Sequence, residues 1–169
     1  MVTVGTSAPK WLSGGVGMMS TVDDYVRFCQ MLLNGGELDN ARLLSPKTVA
    51  LMTSDHLPPG IAHNACIIAL AQDLAPTPEM GEGFGLGFLV RTQPGRNPLP
   101  GSVGDFSWSG AYGTYFWVDP KEKLVALAMM QNAFDDRGWA RSTRYRQKMR
   151  YLVYQAIIGP AEAAPAIVR

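Results

Sequence analysis

Residues 104–131, GDFSWSGAYGTYFWVDPKEKLVALAMMQ, decide the fold class. Their apolar residues predict one strand at about 105–109 that continues into 112–118, and a second strand at 123–131. Asp-Pro-Lys-Glu between them is typical of a turn, so the strands should run antiparallel. Trp108-Ser109-Gly110 is unusual in a strand, because small residues weaken it unless a ligand or another backbone comes close. The stretch therefore predicts an antiparallel sheet with a binding groove.

The glycine-rich segment 83–90 predicts a further strand. Apolar residues alternate there with glycines, so one face should pack into the core and the other should be nearly bare, with a flat partner against it. Three strands make a thin sheet for this chain, and the sequence does not obviously supply partners for its edges. The apolar set is Phe84, Leu86, Phe88 and Val90, and the bare set is Gly83, Gly85 and Gly87.

Capping signals predict three helices. Ser20-Thr21-Val22-Asp23 is typical of a capping box, and the apolar spacing after it predicts a helix over 21–34. Ser45-Pro46 predicts a second helix that ends near Ser54. The last helix is predicted at about 138–158, with a core-facing stripe of Ser142, Tyr145, Met149, Leu152 and Ala156. Together these elements indicate the α+β class, an antiparallel sheet flanked by helices.

The composition is that of one ordinary globular domain. The chain has 169 residues, of which 47% are hydrophobic and 17% charged, and its formal net charge is +1. Nothing in this balance drives the chain toward nucleic acid or an anionic membrane. The amino terminus has no signal-peptide pattern, and no stretch of about 18 apolar residues is present to span a bilayer. We therefore expect no nucleic acid and no membrane as partners, and the compartment stays open.

Motifs for a nucleophile or a metal are sparse. Ser-x-x-Lys occurs once, as Ser7-Ala8-Pro9-Lys10, where the proline disrupts the helix that should align the two side chains. We interpret it as an entry loop. Asp55, His56, His63 and Cys66 match no compact zinc spacing, so we expect surface histidines and a buried thiol there. The sequence predicts no metal and no cofactor.

A cationic run crosses the last helix, with no acidic residue among its members. Such a run can contact phosphate. The alternative is a solvated outer face whose long side chains cover apolar surface. Because the overall charge is balanced and no aromatic stacking pattern accompanies the run, we favour the solvated face. The cations are Arg137, Arg141, Arg144, Arg146, Lys148 and Arg150.

Two segments together resemble the C-terminal part of the serine β-lactamase-like hydrolases. They are GGVGMMSTVDDYVRFCQMLLNGGELDNARLLSPKTVALM at 14–52, and GFGLGFLV with the quoted stretch at 83–131. The nearest branch is the class C type, which includes carboxylesterases, D-amino-acid peptidases and transesterases. The resemblance covers about residues 8–158. It implies a partial β-lactamase or penicillin-binding-protein-like fold, whose active site lies between the sheet and a mostly helical region.

The family uses three motifs: Ser-x-x-Lys with the nucleophile, Tyr-x-Asn, and a Lys-Thr-Gly-like triplet on a strand. Trp108-Ser109-Gly110 stands where the triplet is expected, so the resemblance implies that these three residues bind substrate and that Ala111 supplies a catalytic oxyanion-hole N–H. Trp108 replaces the lysine that helps to hold a β-lactam carboxylate, and an indole carries no charge. The resemblance therefore favours a small-molecule ester or amide substrate over penicillins. No Tyr-x-Asn occurs, and Ser7 comes too late in the family's order to be its nucleophile.

The leading hypothesis is a single partial domain, residues 1–169, that forms the C-terminal portion of an esterase-type serine hydrolase. The complete enzyme would act by acyl transfer, and the chain alone is expected to be inactive. Its partner would be a missing N-terminal half or further copies of the chain in a homo-oligomer. The rival hypothesis is a non-catalytic binding or strand-swapping module of the same fold. A third hypothesis is a hydrolase that uses Ser7 and Lys10 by itself.

Overall fold

The computed structural model describes residue 11 and residues 18–61, 75–132 and 136–157, with side chains in the last range from 141 onward. Its elements form three layers. Helices α1 (Val22–Leu33) and α2 (Pro46–Met52) cover one face of a five-stranded antiparallel sheet, and helix α3 (Asp136–Gln155) covers the other. The predicted α+β class, an antiparallel sheet flanked by helices, is confirmed. No helix in the described ranges is both long and apolar enough to cross a bilayer.

Helix α1 forms where the sequence predicts it, but its cap lies one residue later. Thr21 is the N-cap, and its hydroxyl oxygen accepts the N–H of Asp24 at 3.2 Å. Ser20 therefore does not cap the helix, because its hydroxyl instead donates to the carbonyl of Thr21. The helix buries Cys29, Met31 and Leu32 against the sheet.

A short hairpin, absent from the elements expected from the sequence, follows α1. Strands β1 (Glu37–Leu38) and β2 (Ala41–Arg42) pair antiparallel. Asp39 and Asn40 connect them with φ of 51° and 63°. Two consecutive positive φ angles are typical of a type I′ turn, which asparagine and aspartate tolerate.

Helix α2 begins as predicted. The hydroxyl of Ser45 accepts the N–H of Thr48 at 3.0 Å, and Pro46 occupies the first helical position, where the missing N–H costs nothing. The helix ends at Met52, two residues before the predicted end. Its buried residue, Val49, joins the core formed with α1.

The main sheet has five strands rather than the three that the sequence predicts. They are β3 (Glu82–Phe84), β4 (Leu89–Arg91), β5 (Phe106–Ser109), β6 (Tyr115–Asp119) and β7 (Leu124–Ala128). The order in the sheet equals the order in the chain, so the sheet is a simple antiparallel meander. Among the described strands, β3 and β7 form the two edges.

The prediction of one strand over 83–90 is wrong, because this segment folds back on itself as the β3–β4 hairpin. Gly87 supplies the turn with φ of 94°, and the N–H of Gly85 donates to the carbonyl of Phe88 at 2.8 Å. Gly83 and Gly85 lie in close contact with other segments of the chain. A Cβ at Gly83 would overlap the Asp55 carboxylate, and one at Gly85 would overlap the carbonyl oxygen of Met52.

The prediction of a strand that runs from 105–109 into 112–118 is also wrong. The chain reverses between β5 and β6, and the two strands pair antiparallel with Ser109 opposite Tyr115. The N–H of Gly110 donates to the carbonyl of Thr114 at 2.7 Å and closes the loop. The small residues, from which the sequence predicts a binding groove along a strand, thus form the tip of a hairpin.

The residues that α3 buries differ from those predicted to face the core. Ser142 is buried as expected, but Tyr145 and Leu152 are exposed at 48% and 55%. Arg146 and Arg150 are buried instead, at 5% and 3% exposure. The prediction that all cations of α3 lie on a solvated face is therefore wrong for these two, which face polar groups on the sheet.

Candidate active site

The candidate site is built on the loop at the tip of the β5–β6 hairpin. Gly110 and Thr114 close the loop, and the N–H of Gly113 donates to the carbonyl of Gly110 at 2.9 Å. Gly113 has φ of 102°, which only glycine adopts without strain. This is the three-residue hairpin loop in which a tight turn is followed by a glycine bulge. A Cβ at Gly110 would overlap the hydroxyl of Thr114, so a larger residue there would require the Thr114 side chain to rotate.

The loop leaves the amide N–H of Ala111 available. Ala111 is exposed and occupies the first central position of the turn, whose closing bond uses the N–H of Gly113 instead. Within the described residues, no hydrogen bond from the Ala111 N–H is present. An unengaged backbone donor at the rim of a sheet is the arrangement needed to stabilise a developing negative charge on an oxygen atom.

The loop is held from two other elements. The carbonyl of Tyr112 accepts the N–H of Asn132, just after β7, at 2.8 Å. The Asn132 side chain donates to the hydroxyl of Ser142 on α3 at 2.8 Å. The guanidinium of Arg146, one turn further along α3, donates to the carbonyl of Gly110 at 3.1 Å. The hairpin tip is therefore attached to both β7 and α3.

A cleft of about 100 Å³ opens beside the loop, between β4, β5 and α3. Ser109 lines this cleft, on the face of the sheet that α3 covers. The ring of Trp108 packs on the opposite face, 5.2 Å from the ring of Phe84, where the α1 and α2 core lies. The structure thus brings Trp108, Ser109, Gly110 and Ala111 to one rim of the sheet, with the indole and the serine hydroxyl on opposite faces of it.

A buried ionic cluster forms the floor of the cleft. Asp105 is 2% exposed, and its Oδ2 accepts the Nε–H of Arg91 at 3.0 Å and a guanidinium N–H of Arg150. Arg150 also donates to the hydroxyl of Tyr115 at 2.9 Å and to the carbonyl of Pro100 at 2.7 Å. Burial raises the pKa of the Asp105 carboxyl, and the guanidinium groups of Arg150 and Arg91 act in the opposite direction.

The role of Arg146 and Arg150 as links between the helix and the sheet is not predicted from the sequence. Their spacing was an available signal, because Ser142, Arg146 and Arg150 recur every four residues and so share one face of a helix. Their partners lie 36 to 45 residues away in the chain at Gly110 and Asp105, and no local pattern predicts such pairs.

Of the other candidate residues, the two that the structure describes, Asp55 and His56, do not line this cleft. Ser7, Lys10, His63 and Cys66 lie outside the described residues. Asp55 accepts the N–H groups of Leu57 and Phe84, each at 3.0 Å, and His56 Nε2 lies 2.7 Å from the carbonyl of Leu51. In the described ranges 18–61, 75–132 and 136–157, no group of three or more histidine, cysteine or acidic residues is placed to hold a metal ion.

Comparison with protein families matches residues 2–148 to a family described as Beta-lactamase. An uncharacterized protein of Mycobacterium tuberculosis (strain CDC 1551 / Oshkosh) is 40% identical to the chain over 130 residues, which are 75% of this chain and 31% of that protein. Protein Rv1367c of Mycobacterium tuberculosis (strain ATCC 25618 / H37Rv) matches with the same identity and coverage. The chain thus spans about a third of the length of these relatives.

Solved structures of similar fold are also matched over only part of their length. EstCE1, described as a hydrolase with promiscuous acyltransferase activity, superimposes with a TM-score of 0.65 at 28% identity, over 88% of this chain and 33% of that one. Simvastatin synthase (LovD) of Aspergillus terreus superimposes with a TM-score of 0.54 at 23% identity, over 79% of this chain and 34% of that one. The second likeness concerns the fold alone.

Proposed function

Because the chain belongs to the β-lactamase family of hydrolases and acyltransferases, we propose that the complete protein is an esterase-type serine hydrolase that acts by acyl transfer. In this proposal the chain is its C-terminal portion, and residues 108–111 form one wall of the active site. The observation that carries the proposal is the N–H of Ala111. It has no hydrogen-bond partner among the described residues and lies at the hairpin tip, two residues after Ser109, where the family's strand triplet is expected.

Each residue of this wall has a defined task in the proposed reaction. A serine oxygen attacks the carbonyl carbon of the substrate, and the carbonyl oxygen becomes a tetrahedral oxyanion that accepts the N–H of Ala111. Collapse of this intermediate expels the alcohol or amine and leaves an acyl-serine ester, which water or a second alcohol then cleaves. The hydroxyl of Ser109 binds the substrate, and Gly110 lets it approach the backbone. Trp108 shapes the rim.

We propose a small-molecule ester or amide without an essential anionic group as the substrate. The position where a lysine would attract a carboxylate holds Trp108, whose indole is neutral and packs against Phe84. The described cations that line the cleft are already engaged, since Arg146 donates to Gly110, and Arg91 and Arg150 donate to Asp105.

The nucleophile would come from a part of the complete protein outside the hairpin. Neither Ser-x-x-Lys in a favourable helical context nor Tyr-x-Asn occurs in the chain. Its partner in the proposal is therefore an N-terminal half of the same protein, or a second copy that completes the site.

Labelling with a fluorophosphonate tests this proposal. The isolated chain should show no adduct by intact mass, whereas the product of the complete reading frame should gain one adduct, located by peptide mapping on a serine followed three residues later by lysine. The complete protein should also hydrolyse p-nitrophenyl esters. Absence of both adduct and turnover in the complete protein would contradict the proposal. An adduct on a serine of the isolated chain would place the nucleophile within it.

The edge strand β7 favours a second candidate, a non-catalytic module that pairs with another chain. Among the described strands, β7 has a neighbour only on its β6 side, and a free edge is a template for strand addition. Light scattering with size-exclusion chromatography separates the two candidates. A defined dimer of the complete protein without any fluorophosphonate adduct would support the module, and a labelled monomer would contradict it.

A further inference from the structure

We infer that Arg146 is a positioning residue for the oxyanion-binding N–H of Ala111. This inference rests on the proposed function, and it assigns to α3 a part in the site that neither the family match nor the sequence motifs assign. Arg146 lines the same cleft as Ser109, and in this inference it acts through the N–H of Ala111 rather than on the reacting atoms. It acts on the peptide group that joins Gly110 to Ala111.

Planarity of the peptide group makes this connection direct. The carbonyl of Gly110 and the N–H of Ala111 belong to the same peptide unit, and in a trans unit they point in opposite directions. Holding the carbonyl oxygen therefore fixes the direction of the N–H. The chain has no cis peptide bond among its described residues.

Two donors hold that carbonyl oxygen. The N–H of Gly113 lies within the loop at 2.9 Å, and the guanidinium of Arg146 reaches it from α3 at 3.1 Å. The bond from Gly113 orients the peptide relative to the loop, which is itself attached to the sheet by the Gly110–Thr114 bond and to the segment after β7 by the Asn132–Tyr112 bond. The bond from Arg146 adds a direct connection from this peptide to α3, and so opposes rotation of the peptide within the loop.

Arg146 is itself well anchored. Its side chain is 5% exposed, and it lies on the buried face of α3 between Ser142 and Arg150. Ser142 accepts the side-chain N–H of Asn132, and Arg150 is bound to Asp105, so neighbouring turns of the helix are tied to the sheet on either side. A charged donor on a carbonyl also polarises the peptide group and strengthens its N–H as a donor.

The test uses Arg146→Gln, which removes the charge and shortens the side chain, and Arg146→Lys, which keeps a cationic donor. Arg144→Gln is the matched control, because Arg144 is an exposed cation on the same helix. In the ¹⁵N-labelled chain, residual dipolar couplings report the direction of each backbone N–H. On the unmodified chain, a nuclear Overhauser effect between the Arg146 guanidinium protons and the loop gives a measurement that needs no variant.

The unmodified chain should show this Overhauser effect, and Arg146→Gln should change the coupling of the Ala111 N–H while those of Phe116 and Val118 in β6 stay the same. Arg146→Lys should restore it in part, and Arg144→Gln should have no effect. In the complete protein, Arg146→Gln should lower kcat by about 10- to 100-fold with KM nearly unchanged, as expected when a catalytic donor is misplaced. A purely structural role would instead shift couplings throughout the sheet.

An unchanged Ala111 coupling in Arg146→Gln, or no Overhauser effect in the unmodified chain, would overturn the inference. The NMR result does not depend on catalysis, so it separates this failure from failure of the proposed function. If Ala111→Pro abolishes turnover and Arg146→Gln leaves it intact, the positioning role is wrong and the hydrolase stands. If the coupling moves as expected but the complete protein is inert, Arg146 orients the peptide and the assignment to catalysis is overturned.

Discussion

Replacing Asp105 with asparagine should destabilise the fold far more than any surface charge change. Asp105 is the carboxylate to which both Arg91 and Arg150 donate, and all three side chains are nearly excluded from water. Asparagine has almost the same shape, and its amide oxygen can take the place of Oδ2 as the acceptor, but it carries no charge. The Asp105→Asn chain would therefore bury two cations without their counter-ion.

The expected size follows from this geometry. Removing one member of a buried ion pair typically costs about 3–5 kcal/mol, because the remaining charge stays desolvated. For a chain of 169 residues, each kcal/mol lowers the melting temperature by about 2–4 °C. The predicted loss in melting temperature is therefore about 6–20 °C.

Urea unfolding followed by circular dichroism measures the change in the free energy of unfolding. Asp39→Asn is the matched control, because Asp39 pairs with Arg27 at the surface, with 62% and 60% of the side chains exposed. Asparagine also suits its positive φ, so the control should change stability by less than about 1 kcal/mol. Equal and small effects for both variants would refute the reasoning that the cluster at Asp105 holds α3 on the sheet.

Two further predictions concern the first hairpin of the main sheet. Gly85→Ala should lower the free energy of unfolding by about 1–3 kcal/mol in urea titrations, because its Cβ would overlap the carbonyl of Met52; an unchanged midpoint would show that α2 does not approach so closely. Burial raises the pKa of Glu82 above its ordinary value of 4.5, so the stability that it contributes is present below pH 4.5 and is lost as the pH rises through the raised pKa. The unfolding free energy of the unmodified chain relative to Glu82→Gln should therefore fall over that interval, and a constant difference would contradict the shift.

The helices show what local sequence can predict. Thr21 and Ser45 both cap helices by bonds to amides three residues away, so the signal and the structure lie in the same short segment. The starts of α1 and α2 were accordingly found to within a residue, although the neighbouring Ser20 was given the capping role.

The sheet shows where local sequence fails. The alternation of apolar residues with glycine over 83–90 is compatible with one long strand and equally with two short strands joined by a tight turn. The length of the segment does not distinguish these two structures. The close approach of Gly83 and Gly85 to Asp55 and Met52 depends on how α2 meets the sheet. Such contacts arise only when distant segments pack.

The candidate site likewise has features that local sequence predicts and features that depend on distant residues. The small residues at 109–113 predict an unusual backbone conformation, and the family resemblance points to Ala111. Neither observation predicts that residues 109–113 form the tip of a hairpin. The supports of the tip, Asn132 and Arg146, lie far along the chain. The sequence predicts an exposed Arg146, because a cation is normally exposed. Its burial depends on the carbonyl of Gly110, 36 residues away, which no local pattern indicates.

The most direct test of the central claim compares Ala111→Pro with Ala111→Gly in the complete protein. Proline removes the N–H and is favoured at the first central position of such a turn, where Ala111 has no positive φ and follows a permissive glycine. Glycine keeps the N–H and serves as the control. With ester turnover as the assay, the account predicts that the proline variant loses about 100- to 1,000-fold in kcat, while the glycine variant stays close to the unmodified enzyme. A folded proline variant with undiminished kcat would contradict the claim that this N–H stabilises the oxyanion.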